Sequence, residues 1–360
     1  MRILYDGQIY SMQTAGGINR YFANLIERLP QDFDLTLTTC QLQQLNYPTH
    51  PNLKTVFYKR FGFRPGRLCY WLEQHYFRGV NLYKRPHLIH PTYYWTLTRQ
   101  KMNQSRVPVV LSVWDMIHEV FYPDDAVIEA KREAIQSAQA ILCISENTKI
   151  DLLERYPVAE DKITVTYLAT EMDVSLSYGS EPVPTQPYYL YVGSRYSYKN
   201  FDGFLTAFAK IAPDYSDLKI CIVGSPLNDQ EERLIAELKL TDRIEHYGYA
   251  SDRHLAKLYR CSVALVYPSR YEGFGIPPLE AMACETTVIA AKRSSIPEVV
   301  GDAGLLFNPC STDELIDQLR VVLDHPMERD RLINAGKLRA QEFSWDKTVS
   351  QTLEVYRSVI

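Results

Sequence analysis

The chain has 360 residues, 46% of them apolar and 23% charged, with a net charge of −4. That is the composition of a globular protein long enough for two domains with a core each. A negative net charge excludes a dedicated nucleic-acid binder, whose affinity comes from neutralising phosphates.

Met1-Arg-Ile-Leu-Tyr-Asp6 opens directly on a strand. No signal-peptide pattern and no apolar run of about 18 residues is read, so the chain is expected neither to span nor to be exported across a membrane. Strand-length apolar runs follow at Arg2–Tyr5, Leu35–Thr38, Thr55–Tyr58, Leu88–His90, Val109–Val113, Ile141–Ile144 and Ile163–Thr166. Between the first two, Ile18, Phe22, Leu25, Ile26 and Leu29 recur with helical period, and a second helix is expected over Ile128–Ser137. The stretch Ser175–Pro187 carries three prolines without periodicity and reads as a linker. The alternation resumes with strands at Tyr188–Val192, Lys219–Val223, Val263–Tyr267, Val288–Ala291 and Leu305–Phe307. Helices are expected at Phe201–Ile211, Glu231–Leu238, Pro278–Ala283 and Thr312–Leu323. The tail Phe343–Ile360 reads as one more, with Trp345, Val349, Leu353 and Tyr356 along a face. Alternating strands and helices predict parallel sheets built from βαβ units. Seven scattered cysteines, with no Cys-x-x-Cys, read as free thiols of a reducing cytoplasm rather than a disulfide framework or a zinc site.

The most telling stretch is Tyr271-Glu-Gly-Phe-Gly-Ile-Pro-Pro-Leu-Glu280. Gly273 and Gly275 allow backbone to approach a ligand closely, Pro277 and Pro278 suit a first helical turn, and a helix N-terminus attracts phosphate. Glu272 and Glu280 on either side could accept hydrogen bonds from sugar or ribose hydroxyls. Arg195 and Lys199, after the strand Tyr188–Val192, combine a planar fork and a point charge that suit a diphosphate. Gly16-Gly17, ahead of the first helix, is either a plain turn or an anion-facing one; no Gly-x-Gly-x-x-Gly fingerprint is present. Asp115 and His118 follow another strand, where an acceptor hydroxyl could be anchored or a proton moved. His90-Pro-Thr-Tyr-Tyr-Trp95 offers aromatic faces. The segment Lys54–Arg106 holds eleven Lys or Arg, interleaved aromatics and one acid, Glu73; it could lie on anionic lipid, bind an acidic acceptor, or simply be a solvated face.

On these residues the chain resembles the retaining glycosyltransferases of family 4. The resemblance runs nearly the full length and is strongest from Tyr188 to Pro309. Its motifs are Glu272-x7-Glu280 with Ala281-Met-Ala283, Ser295-Ile-Pro-Glu-Val-Val-Gly-Asp-Ala-Gly304, Arg195-x3-Lys199, Gly16-Gly17 and the tail Phe343-Ser-Trp. It implies the GT-B fold: two Rossmann-like α/β domains facing each other across a cleft, with a last helix crossing back. The expected boundaries are 1–175 plus 344–360 for acceptor binding, 176–187 as linker and 188–343 for the donor. It implies that Glu280 holds the ribose, and that Arg195 and Lys199 hold the diphosphate. Glu272 and the amides of Gly273, Phe274 and Gly275 would face the donor sugar, and Gly16 and Gly17 the phosphates. No metal or cofactor is expected, since cations and helix N-termini neutralise the leaving group.

The chain departs from the family at Trp114-Asp115, where relatives carry His-Asp, and at Glu285-Thr-Thr287, where they carry a Gly-x-Pro turn. The expected activity is transfer of a mannose- or glucose-type hexose from a GDP- or UDP-sugar to a saccharide or lipid-linked hydroxyl in bacterial polysaccharide, lipopolysaccharide or glycolipid assembly. The setting is cytoplasmic, with peripheral contact to the membrane's inner face and no nucleic acid. The alternatives are a GT-B epimerase or phosphorylase, or a non-catalytic partner subunit.

Overall fold

A computed structural model describes residues 1–13, 16–40, 46–57, 66–97, 101–123 and 125–360. It divides into two compact units, Met1–Leu168 with Trp345–Ile360, and Ala169–Ser344.

In the first unit β1 (Arg2–Asp6), β2 (Asp34–Thr39), β3 (Leu53–Phe57) and β4 (Leu88–Pro91) form a parallel sheet in the order β3-β2-β1-β4. A second parallel sheet holds β5 (Val110–Val113), β6 (Ala140–Cys143) and β7 (Ile163–Val165), and the bridge Ile89↔Val109 joins the two. The strand-like residue Tyr58 and parts of the basic segment, 58–65 and 98–100, lie outside the described residues. Buried strands such as β5 and β6 show no polar alternation because helices cover both faces of a parallel sheet. The helices are Gly17–Glu27, Gly66–Lys84, Asp125–Ser137 and Glu146–Arg155, with single turns at Ile9–Met12 and Ile117–Val120.

Helix Trp345–Ser358 completes this unit. Its Tyr356 is fully buried, and the hydroxyl lies 2.6 Å from His90 Nδ1 and 3.2 Å from the Tyr5 hydroxyl. His90 Nε2 meets Ser112 Oγ at 2.9 Å, so one imidazole ties β4 to β5 and to the last helix. Burial holds that imidazole neutral, its pKa lowered to about 3.

The second unit is one parallel sheet of β8 (Tyr188–Val192), β9 (Lys219–Val223), β10 (Ile244–His246), β11 (Ala264–Tyr267), β12 (Val288–Ala291) and β13 (Leu305–Phe307). The order β10-β9-β8-β11-β12-β13 is the doubly wound 3-2-1-4-5-6 arrangement, whose ligands bind where the winding reverses, here between β8 and β11. Its helices are Phe201–Ile211, Asp229–Glu237, Asp252–Cys261, Ile276–Ala283, Ile296–Val300, Thr312–Asp324 and Pro326–Ala340.

The stretch read as a linker packs as part of this unit. Val174–Tyr178 forms a 3₁₀ turn, and Lys257 Nζ donates to the Gly179 and Glu181 carbonyls at 2.8 and 2.7 Å. The Arg260 guanidinium sits 4.3 Å from the Tyr178 ring. Beyond that turn, Gly179 and the three prolines rule out regular structure, which leaves carbonyls for a neighbouring helix to satisfy.

Candidate active site

The winding reversal of the second unit gathers several of the singled-out residues. Gly193 (φ +127°) and Gly224 (φ +145°) end β8 and β9, and a Cβ on Gly224 would lie 2.6 Å from the Gly193 carbonyl oxygen, so only glycine lets these two ends meet. Arg195 leaves this turn with a side chain only 3% exposed. Its Nε donates to Glu231 Oε1 at 2.8 Å, and its Nη2 to the Ser225 and Pro226 carbonyls at 2.8 and 2.7 Å. Its Nη1 is buried and meets no acceptor among the described residues. Glu231 also closes a capping box with Asn228 at the start of helix Asp229–Glu237, so a helix cap fixes the arginine's geometry.

Lys199 lies one short turn on. Its Nζ is 2.7 and 2.8 Å from the two carboxylate oxygens of Glu272, and both side chains are largely buried. The rings of Tyr198 and Tyr267 flank the ammonium at 5.1 and 5.9 Å. Burial, and then the Glu272 carboxylate, pushes the Tyr267 phenol well above its ordinary value. Arg270 ties the loops after β8 and β11 together, donating its N–H to the Tyr198 carbonyl at 2.8 Å and Nη2 to Asn200 Oδ1 at 3.0 Å.

The loop of Glu272, Gly273, Phe274 and Gly275 is held from below by the turn after β12. Ser295 Oγ donates to the Glu272 and Phe274 carbonyls at 2.9 and 2.7 Å, and the Glu272 N–H donates to Ser294 Oγ at 2.9 Å. Gly275, at φ +122°, is the N-cap of helix Ile276–Ala283, with proline in its first turn as the sequence predicts. Phe274 packs edge-on against Phe343 at 5.7 Å. Glu280 lies further along the helix, buried, and accepts from the Tyr259 hydroxyl at 3.0 Å. After the helix, Glu285 takes φ +58° and pairs with Lys337 at 2.7 Å, so a glutamate holds the left-handed position that glycine usually fills.

The remaining singled-out residues lie at the C-terminal ends of strands in the first unit. Gly16 caps helix Gly17–Glu27 in extended conformation, and a Cβ on it would strike the Gln13 side chain at 2.5 Å; a Cβ on Gly17 would meet open space. Asp115 Oδ1 accepts from the Ile117 N–H at 2.9 Å, and burial, opposed by Lys131, raises its carboxyl pKa. His118 sits on the turn Ile117–Val120, its Nδ1 buried without a partner among the described residues. Trp114 is a core residue here, packed edge-on against Tyr21 at 5.0 Å.

Sequence reading passed over two buried groups beside these. Lys131, with no exposed side-chain surface, reaches the Asp115 carbonyl at 2.9 Å and Glu119 at 2.8 Å. Asp6, at the end of β1, accepts the Leu97 N–H at 2.7 Å, and burial raises its pKa to about 7. Glu231 and Ser294 were passed over as well, and Ser295 was read only as the first residue of a motif; Glu231 leaves the Asn228-x-x-Glu capping pattern as its trace in sequence.

Two units with doubly wound parallel sheets, and cations with a carboxylate at a winding reversal, define the GT-B class of fold. Residues 179–339 match the family described as glycosyl transferases group 1, and residues 15–173 match glycosyltransferase family 4. The chain belongs to that glycosyltransferase family. It is 30% identical over 252 residues to O-antigen chain mannosyltransferase B of Escherichia coli, covering 66% of each chain. It is 31% identical over 238 residues to the MMP alpha-(1->4)-mannosyltransferase of Mycolicibacterium hassiacum, covering 65% of this chain and 57% of that one. The matched stretch thus spans at most about two thirds of these relatives. Sucrose-phosphate synthase from Thermosynechococcus elongatus superposes with TM-score 0.80 at 21% identity, over 99% of this chain and 98% of that one. Anabaena Alr3699/HepE in complex with UDP-glucose does so with TM-score 0.76 at 16% identity, over 99% of this chain and all of that one. At such identities these likenesses speak for the fold.

Proposed function

We propose that this protein moves a hexose from a GDP- or UDP-sugar to a hydroxyl acceptor with retention at the anomeric carbon and without a metal. The observation that carries the reading is Arg195: a buried guanidinium, fixed on three acceptors, keeps one donor unused among the described residues, beside the winding reversal of a doubly wound sheet. A phosphate oxygen would satisfy that donor at little ordering cost. Lys199 and Glu272 are coupled, so a diphosphate would compete with Glu272 for the ammonium while the carboxylate turns to sugar hydroxyls. Glu280 is assigned to the ribose, the Gly273–Gly275 backbone to the donor sugar, and Gly16 and Gly17 to the phosphates.

In the reaction the acceptor oxygen attacks the anomeric carbon on the face from which the diphosphate leaves. The carbon–oxygen bond to phosphate breaks, and the acceptor proton passes to the departing phosphate oxygen. Asp115 and His118 are assigned to the acceptor side. Relatives named for mannosyl transfer, one of them in O-antigen assembly, favour a mannose-type donor and a polysaccharide acceptor. Peripheral contact with an anionic membrane belongs to the same reading, supported by exposed aromatic and basic side chains on helix Gly66–Lys84.

Calorimetry against a panel of nucleotide sugars, followed by proton NMR of the product linkage, tests the assignment. Arg195→Ala and Lys199→Ala are each expected to slow transfer by about 10²–10³-fold, the size of a lost electrostatic donor. Wild-type turnover in both variants would refute it.

A further inference from the structure

The residues assigned to substrates in the first unit sit at the C-terminal ends of its strands. At the opposite edge, where the chain enters β4 and β5, lies a groove of ≈ 840 Å³. Its lining includes Arg78 and Leu82 from helix Gly66–Lys84, Arg85 just after it, Ile89 of β4, and Arg106 and Val107 ahead of β5. Arg85 takes φ +46°, a conformation that side chains disfavour, and Arg2 Nε holds its carbonyl at 2.7 Å. Three arginines therefore line one concavity. Among the described residues none of the three has a carboxylate partner, and no acid lines the groove.

Such a cluster repels itself until an anion enters, and planar guanidinium forks match phosphate oxygens. A bare hydrated anion would leave the apolar Leu82, Ile89 and Val107 wet; an anion carried on an apolar body uses both kinds of lining. The helix face continues the same chemistry. Trp71, His75, Arg78 and Leu82 follow one another at helical spacing, with Trp71 52% and Leu82 64% exposed and the Trp71 and His75 rings 4.1 Å apart. Exposed aromatic and aliphatic groups beside arginines are the composition of a helix lying at a lipid boundary.

We propose that this groove binds the phosphate of an anionic phospholipid headgroup, with Trp71 and Leu82 entering the acyl boundary. The choice of occupant rests on the membrane contact proposed above, and not on the glycosyl transfer.

The test is co-sedimentation of the full chain with phosphatidylcholine vesicles, with and without phosphatidylglycerol, at low salt. Wild type is expected to bind only the anionic vesicles. Arg78→Ala/Arg106→Ala should bind about thirtyfold less tightly, at about tenfold or less per basic residue, with an unchanged thermal transition. Trp71→Ser should weaken binding while keeping its salt dependence. If the double variant fails to fold, Arg78→Gln alone is expected to weaken binding severalfold. Equal binding by wild type and the arginine variants would overturn the groove and leave membrane contact standing; no wild-type binding would overturn both. Thermal stabilisation of wild type alone by inorganic phosphate, without vesicle binding, would make this a soluble-anion site and overturn the lipid assignment. None of these outcomes bears on nucleotide-sugar binding.

Discussion

Two buried titratable groups in the first unit should pull its stability in opposite directions in mild acid, so that their contributions nearly cancel. His90 is neutral in the fold, its pKa lowered by burial to about 3, against about 6.5 in an unfolded chain. As pH falls through that window the unfolded chain takes up a proton that the folded chain refuses. Stability therefore falls by about 1.4 kcal/mol per pH unit. Asp6 does the reverse. Burial raises its carboxyl from 3.8 to about 7, so between those values the folded chain takes up the proton and stability rises as pH falls. From pH 7 to pH 5, His90 costs about 2 kcal/mol and Asp6 returns about 2 kcal/mol.

Single substitutions should expose each half. Asp6→Asn keeps an oxygen for the Leu97 N–H but loses the titration, so its stability relative to wild type is expected to drop by about 2 kcal/mol between pH 7 and pH 5. His90→Gln should gain about as much over the same interval, whatever its loss at neutral pH. All four tryptophans, Trp71, Trp95, Trp114 and Trp345, lie in the first unit. Urea unfolding followed by tryptophan fluorescence at each pH therefore reports on that unit alone. Identical pH dependence in wild type and Asp6→Asn would refute the argument.

Lys131→Met strands the Glu119 carboxylate in the interior and should destabilise the first unit by about 3–5 kcal/mol, with most of the loss recovered in Lys131→Met/Glu119→Gln; the same fluorescence transition measures both. Glu285→Gly relieves a left-handed glutamate at the cost of one exposed ion pair, so calorimetry should find it neutral or up to about 1 kcal/mol more stable; a marked loss would mean that the Lys337 contact outweighs the backbone. Chelation with EDTA should leave transfer rates unchanged once the donor is known, and loss of activity restored by a divalent cation would contradict the assignment of charge neutralisation to Arg195 and Lys199.

Much of the fold is legible because strands buried on both faces leave unbroken apolar runs. β8, β9 and β12 coincide with the runs read from sequence for this reason, and the half-buried edge strand β13 coincides because all three of its residues are apolar. The edge strand β10, Ile244–His246, escapes because it is short and partly polar. Helix Gly66–Lys84 escapes because its exposed aromatics blur the apolar stripe that marks an amphipathic helix. In the candidate site, Arg195, Lys199 and Glu272 stand out since cations and glycines after a strand have few other uses. Their supports do not stand out. Ser294 and Lys131 are ordinary letters until folding places one against the Glu272 backbone and the other in a dry interior. The packed segment Ser175–Pro187 shows the same limit: Pro182, Pro184 and Pro187 argue against a long helix or strand but say nothing about docking.

Helix Trp345–Ser358 has a consequence for how the chain is made. Its Tyr356 supplies the hydroxyl that His90 meets, yet it is translated only after the whole of the second unit. On the ribosome, Ala169–Ser344 can therefore fold as a contiguous piece while Met1–Leu168 still lacks one wall of its core. The first unit to be synthesised is the last to be finished.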